Sequence, residues 1–418
     1  MEKIGLVLSG GGSKGAYEAG VYKALRKMHI KINIVTGTSI GAINGMMIVQ
    51  KRHRSIMKFW KKVDFSAIYK EEEFPKMEDP SLAKVYSQYV KAFINEGGLN
   101  VSKMTKMFDS YFNPRKFFNS DIDYGVVTFN LSKRRPVIKT KKELDRYNAK
   151  DYMVASASCY PAFKPYVIDG DLYIDGGYYD NLPINLAIDL GATKIIAVDL
   201  RAVGFRRKIK DKSVEVTKIS PRNKIASFLI FDKEKAKEAV KFGYNDTMKT
   251  FGKLDGDKFT FRKHNLINNY NKYNDIFEDK LNKIFNGISN PILSKIFQIP
   301  IFKETINRQI EYNNFNSIIE KSGEIFKFEE FIIYNINSYN KGLLNALANT
   351  TPIDMNIIKN KIIDRKITQI IDSRQIVKYF YNCIIGKDMS MIKYILLFRN
   401  EFLTALYIYT VKGLSINY

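Results

Sequence analysis

The chain has 418 residues and little of what builds covalent or metal-based sites: two cysteines and three histidines. Cys159 and Cys383 form no pair motif, which excludes a disulfide-stapled scaffold and suits a reducing compartment. Long apolar runs are also missing. The longest late one, Phe402–Val411, is flanked by Arg399 and Glu401 and falls far short of the roughly 20 residues that span a bilayer. The opening "MEKIGLVLSGGG" has no basic segment followed by a long apolar stretch, so a secretory leader is not expected. These absences lead us to expect a cytoplasmic protein, soluble or peripheral on a membrane. Negative charge is scarce too. Lys and Arg number 67 against 43 Asp and Glu, a net charge of +24, which calls for an anionic partner. The clusters Lys51–Arg54, Lys133–Arg135 and Arg206–Lys212 suit an anionic bilayer surface, or are simply solvated faces. No nucleic-acid recognition motif is present, so nucleic acid is not an expected partner.

With 45% apolar residues the chain has the material for a proper core. Residues 4–8 read as a buried strand. From Ala16, apolar positions Tyr17, Val21, Leu25 and Met28 recur at helical spacing. A second strand is expected at Ile32–Thr36, then a helix from Ala42 to about Val49. This strand–turn–helix order, given twice, argues for an α/β layered sheet. "YGVVTFNLSKRRPVIKT" reads as two strands around a basic turn, and "YVIDGDLYIDGG" as a hairpin turning at Asp169-Gly170. A helix is expected from Pro183 to Gly191, a strand at Lys194–Leu200, a basic loop after it, and helix over 222–252. The acidic run Glu71–Glu73 reads as a solvated helix start. Beyond residue 263 only helical periodicity is visible. We place a domain boundary near residue 260, giving 1–260 as an α/β domain and 261–418 as a helical region of unknown role.

Between the first strand and helix lies "LSGGGSKG". Gly10, Gly12 and Gly15 satisfy the dinucleotide fingerprint G-x-G-x-x-G. That fingerprint needs an acidic residue about 20 positions later to hold the ribose, and no Asp or Glu occurs between Glu18 and Asp64. A dinucleotide site therefore lacks its partner. At the end of the second strand stands Gly37-Thr38-Ser39-Ile40-Gly41, the G-x-S-x-G of a nucleophile elbow, where a tight turn pushes the serine out at the top of the sheet. Neighbouring parallel strands bring both turns to one edge. The glycine turn then offers backbone N–H groups to Ser39 as an oxyanion hole.

A serine nucleophile needs a base, and the histidines are poorly placed. His29 precedes the second strand, roughly 16 Å from Ser39 for five strand residues. His53 sits in a basic cluster and His264 near the domain boundary. A carboxylate is the other choice. Asp175 ends a strand and is followed by Gly176-Gly177, although spacing alone favours a second Asp-Gly turn there.

Taken together, Gly10-Gly11-Gly12-Ser13-Lys14-Gly15, Gly37-Thr38-Ser39-Ile40-Gly41, Asp175-Gly176-Gly177 and the intervening run Ala155–Pro183 resemble the patatin-like phospholipases, in particular their bacterial acyl hydrolases. The resemblance covers residues 4–200, continues weakly through Phe231–Thr247 and does not reach 263–418. It implies a three-layer α/β/α domain and a Ser–Asp dyad without histidine. It also implies hydrolysis of phospholipid or other acyl-ester lipids, with no metal and no cofactor. By position it makes Ser39 the nucleophile and Asp175 the base. Gly10, Gly11 and Gly12 become the oxyanion hole, and Lys14, Gly37, Gly41, Gly176 and Gly177 support them. Ile40 is bulkier than the alanine often found there, which narrows the floor of the site. The rival reading is a non-catalytic patatin-like protein that acts by membrane or protein interaction through its helical region. The sequence does not fix the oligomeric state.

Overall fold

The computed structural model describes residues 2–63, 87, 91, 95, 97–100, 102–225, 227–228, 231–285, 310–354 and 372–415. The acidic run at 71–73 lies outside them. The chain divides into two units, Met1–Thr250 and Phe251–Tyr418.

The first unit is built on an eight-stranded mixed sheet. Its strands are β1 (Ile4–Leu8), β2 (Ile34–Thr38), β3 (Asp123–Asn130), β4 (Arg135–Thr140), β5 (Tyr166–Ile168), β6 (Asp171–Asp175), β7 (Lys194–Val198) and β8 (Glu215–Ile219). The order is β5-β6-β3-β2-β1-β7-β8, with β4 also on β3. β3, β2, β1, β7 and β8 run parallel, while β4, β5 and β6 join antiparallel. The central parallel strands β1, β2 and β7 are buried on both faces.

Helices α1 (Ala16–Lys27), α2 (Ile40–Val49), α3 (His53–Lys62), α4 (Ser102–Asp109), α5 (Pro114–Phe118), α6 (Ala149–Ser156), α7 (Ile184–Asp189) and α8 (Lys233–Thr250) complete the unit. Alternation along β1 assigns the faces. Val7, with Ile34, Ile195 and Ala197, packs under α7 against Ala187, whereas Leu8 faces α2 beside Gly45. All ten residues of α2 are buried, with α1, α3 and α6 packed around it. Helices α1 and α8 approach backbone to backbone. A Cβ on Gly20 would lie 2.0 Å from the Val240 carbonyl oxygen, and one on Gly243 2.0 Å from that of Tyr17. The Tyr17 hydroxyl donates to Asp246 at 2.9 Å on the same seam.

Three sequence expectations shift here. β2 begins and ends two residues later than expected, so Gly37 and Thr38 are strand rather than turn. Helix α8 starts at Lys233, eleven residues later than expected at 222. Strand β8 falls where no element was expected: it lies at the end of the sheet order and buries only Ile219, so no apolar pattern marks it.

The second unit contains β9 (Leu254–Asp255), β10 (Thr260–Arg262), α9 (Asn265–Phe285), α10 (Tyr312–Ile325), β11 (Ile333–Tyr334), α11 (Ile336–Ala348), α12 (Ser373–Gly386), α13 (Ile392–Ile395) and α14 (Arg399–Ser415). A strand beyond residue 263 was not expected. β11 is two residues long and exists by parallel pairing with β10, which a local pattern cannot show. The core is aromatic and packed edge-on: Phe277 on Phe315 at 5.7 Å, Phe315 on Tyr407 at 5.9 Å, and Phe380 on Phe402 at 5.5 Å, the geometry that ring quadrupoles favour. Within it, Asn269, Tyr407 and Asn340 close a hydrogen-bonded triangle. Asn269 Nδ2 donates to the Tyr407 hydroxyl at 3.0 Å, that hydroxyl donates to Asn340 Oδ1 at 2.7 Å, and Asn340 Nδ2 donates to Asn269 Oδ1 at 3.0 Å.

Candidate active site

Ser39 stands between β2 and α2 with φ 57° and ψ −130°, a strained conformation for a residue with a Cβ. The strain is enforced by close packing of the flanking glycines. A Cβ on Gly37 would lie 2.5 Å from the Gly41 backbone, and one on Gly41 2.5 Å from the Leu8 carbonyl oxygen. The turn is also held from below. The Ser39 N–H donates to the Ser156 hydroxyl at 2.9 Å, which in turn donates to the Val127 carbonyl at 2.6 Å. Thr38 donates to the Asp180 carbonyl at 2.7 Å.

Strand β3 brings Asp175 to this serine. β4 occupies one edge of β3 over Gly125–Asn130, so β2 and β6 share the other. Val127 pairs with Thr38 of β2, and the next residue, Thr128, pairs with Asp175 of β6. β6 therefore arrives head-on where β2 stops, and its last residue faces the elbow. The Ser39 hydroxyl favours the ionised form of the Asp175 carboxylate. The Gly177 N–H donates to the same carboxylate at 2.7 Å. Both residues are 6% exposed. Burial pushes the Asp175 pKa up to about 6, and the Ser39 hydroxyl and the Gly177 N–H offset only part of that rise.

The glycine turn lies directly beside the elbow: a Cβ on Gly10 would sit 3.0 Å from that of Ser39. Its three N–H groups are not equivalent. Gly10 donates to the Asn181 carbonyl at 3.1 Å, so its N–H is committed elsewhere. For Gly11 and Gly12 there is no backbone acceptor among the described residues. Lys14 is half-buried, and desolvation lowers its pKa more than Asp199 raises it. Its N–H donates to the Gly11 carbonyl at 3.1 Å and steadies the turn. Below the turn, buried Glu18 accepts from Asn44 Nδ2 at 2.8 Å. Asn44 also donates to the Gly15 carbonyl at 2.9 Å and accepts from the Trp60 indole at 3.0 Å. Burial holds Glu18 well above the usual carboxylate range, and its bond to Asn44 ties the first turn to the helix behind Ser39.

Gly12, Ser39 and Ile40 line a closed apolar cleft of about 30 Å³ with Phe59, Phe108 and Phe228. None of the three histidines lines it. His53 borders a separate cavity with Arg26, Lys51 and Asp121. Sequence reasoning missed Ser156, Asn181 and the Glu18–Asn44–Trp60 bridge. All act across long sequence separations, and no local spacing marks them.

A model of the family Patatin-like phospholipase matches residues 6–188. Over those residues the chain is similar to that family. The patatin-like segment is 29% identical over 197 residues to Patatin-like phospholipase domain-containing protein 7 of Rattus norvegicus, a match covering 47% of this chain and 13% of the relative. It is also 29% identical over 198 residues to Neuropathy target esterase sws of Drosophila melanogaster, again 47% of this chain and 13% of that protein. The chain thus matches only a small part of the length of these relatives. Among solved structures, VipD from Legionella pneumophila aligns over 98% of this chain and 92% of its own, with 15% identity and a TM-score of 0.33.

Proposed function

We propose that the patatin-like unit is a serine acyl hydrolase that cleaves ester-linked acyl chains from phospholipids or related lipids. The observation that carries this reading is the register of β3, which pairs Val127 with Thr38 beside Ser39 and Thr128 with Asp175, so that the two strand ends meet at one buried point. A carboxylate is a weak base for an alcohol. Burial strengthens it here, and contact geometry removes the entropic cost of bringing base and nucleophile together.

In the proposed reaction Asp175 takes the Ser39 proton as Oγ attacks the ester carbonyl carbon. The tetrahedral oxyanion is received by the N–H groups of Gly11 and Gly12, joined by that of Ile40 at the start of α2, the usual contribution of the residue after an elbow nucleophile. Gly10 is dropped from this role because its N–H is spent on Asn181. Collapse expels the alcohol, which leaves with the proton from Asp175, and an acyl-Ser39 ester remains. Asp175 then deprotonates water, which attacks that ester. Collapse releases the fatty acid and returns the proton to Ser39. The aromatic cleft supplies an apolar wall for the acyl chain, and a cleft of about 30 Å³ must widen to admit one. The basic composition fits an anionic bilayer as the place where substrate is met.

Fluorophosphonate labelling with peptide mass mapping tests this without knowledge of the substrate. A single adduct on Ser39, lost in Asp175→Asn, is the expected result. A folded protein that takes no adduct, or takes it on another serine, overturns the reading.

A further inference from the structure

A second cavity, of about 870 Å³, opens beside the glycine turn in the same unit. Five cations line it, Lys14, Arg201, Arg222, Lys224 and Lys235, against one carboxylate, Glu238. Glu238 is engaged by Lys235 at 2.8 Å, and Arg222 lies 4.0 Å from Asp246. Asp199, the acidic group nearest in effect to Lys14, is already held at 2.8 Å by both Arg206 and Lys218. The cavity therefore has a marked excess of positive charge. Its remaining walls are apolar, with Phe228 and Phe242 inside and fully exposed Val203 at the rim. A cationic wall facing apolar side chains suits an amphiphilic phosphate ester better than a bare anion.

The cavity is also wired to the candidate active site. Phe228 lines both the basic cavity and the cleft over Ser39. Its carbonyl accepts the Ser13 N–H at 2.9 Å, and the Ser227 carbonyl accepts the Ser13 hydroxyl. A Cβ on Gly12 would lie 2.1 Å from the same Phe228 oxygen. The cavity wall thus clamps the turn that carries Gly11 and Gly12, and its phenyl ring helps close the cleft.

We propose that this cavity binds the phosphate-bearing headgroup of an anionic phospholipid, distinct from the lipid being cleaved, and that its occupation shifts the Ser227–Phe228 wall to open the cleft over Ser39. The opening step rests on the hydrolase reading above; the binding step does not.

Binding is measured first, by titration calorimetry on the full chain with short-chain phosphatidic acid below its micelle concentration, and in parallel with inorganic phosphate. Phosphatidic acid is expected to bind, and inorganic phosphate to bind at least about tenfold more weakly. The double variant Arg201→Ala/Lys224→Ala is expected to lose about tenfold or more in affinity, as removal of charge-assisted contacts requires. Its melting temperature controls for folding, and Arg201→Lys/Lys224→Arg should restore binding. No binding, or binding indifferent to the double variant, overturns the site. Equal binding of inorganic phosphate overturns the lipid assignment and leaves a plain phosphate site. The rate of fluorophosphonate labelling at Ser39 then reads the coupling. It is expected to rise with bound phosphatidic acid in the unsubstituted chain and not in Ser13→Ala, which still binds. A rate indifferent to the lipid overturns the coupling. Absence of labelling under all conditions, with calorimetric binding intact, removes the hydrolase reading and the coupling while the headgroup site stands.

Discussion

The two units bury polar groups in opposite ways. Among its described residues the sheet unit takes five carboxylates out of water: Glu18, Asp175, Asp180, Asp199 and Asp246. Burial holds Glu18 and Asp175 above the usual carboxylate range, and pushes Asp180 up to about 6. Among the described residues of the helical unit the buried carboxylate is Glu278 alone, and it accepts the Ile310 N–H at 2.7 Å and Asn274 Nδ2 at 3.1 Å. The other buried polar groups described in that core are amides and hydroxyls, bonded to one another as in the Asn269–Tyr407–Asn340 triangle or to backbone carbonyls as at Ser322 and Thr410, with Thr260 Oγ1 and Asn274 Oδ1 left without a partner. Isolated buried charge destabilises a fold, whereas a closed neutral network is close to balanced. The contrast separates a unit that gives up stability for chemistry from one whose interior serves packing.

The sharpest way to break that contrast is to remove its chemical pole. Ser39→Ala is expected to lower hydrolysis of a phospholipid or short-chain ester by about 10⁴-fold or more, with an unchanged thermal midpoint. Retention of more than a few per cent activity would place the chemistry elsewhere. Next in size is the interior of the helical unit. Phe277→Ala removes a fully buried ring and is expected to cost about 3–5 kcal/mol in denaturant unfolding, with no change in the pH dependence of activity. A moved pH midpoint would mean that this core also tunes the chemistry.

Asp175 gives the third test. With its pKa raised to about 6 from 3.8, the carboxyl is neutral below that value and cannot accept the Ser39 proton. Hydrolysis is therefore expected to rise about tenfold per pH unit up to about pH 6 and then level off. The stability linkage has the opposite sign. The neutral form is favoured in the fold, so its benefit is complete below the unfolded value and is lost as pH rises through the folded one. Asp175→Asn should thus abolish turnover yet stabilise the protein at pH 8, by on the order of 3 kcal/mol, the free-energy equivalent of that rise in pKa. A loss of stability at that pH would show that hydrogen bonds, rather than desolvation, dominate the site. The smallest effect belongs to the neutral triangle. Tyr407→Phe is expected to cost about 1 kcal/mol, independent of pH between 5 and 8. A pH-dependent cost would mean that a charge is hidden in that core.

What could be read in the sequence follows the range of the forces involved. Both turns were legible because their sterics are local: Gly37 and Gly41 must be glycine wherever a strand doubles back so closely on its helix. The hairpin at Asp169-Gly170 was legible for the same reason, since both residues adopt positive φ, 49° and 81°. Asp175 was not legible from spacing. Its place beside Ser39 comes from two different strands meeting end to end along β3, and only the family resemblance marked it out. The engaged Gly10 N–H could not be foreseen, because its acceptor, the Asn181 carbonyl, lies far along the chain. Strands β8 and β11 escaped for want of apolar alternation, as their existence depends on a neighbour's backbone.

The match to the family model stops at residue 188, but the sheet does not. β7 pairs with β1 along its whole length, and β8 lies outside β7. Helix α8 lies on α1 across the Gly20–Gly243 seam. A fragment cut where that match ends would bare one full edge of the strand that leads into the glycine turn, and one face of the helix that leaves it. Unpaired strand edges recruit other chains, so such a fragment is expected to self-associate, while one carried through Thr250 keeps both surfaces covered. The span that evolution has kept recognisable is therefore shorter than the span that must be inherited as a unit. Recombination or domain borrowing would have had to respect the later boundary.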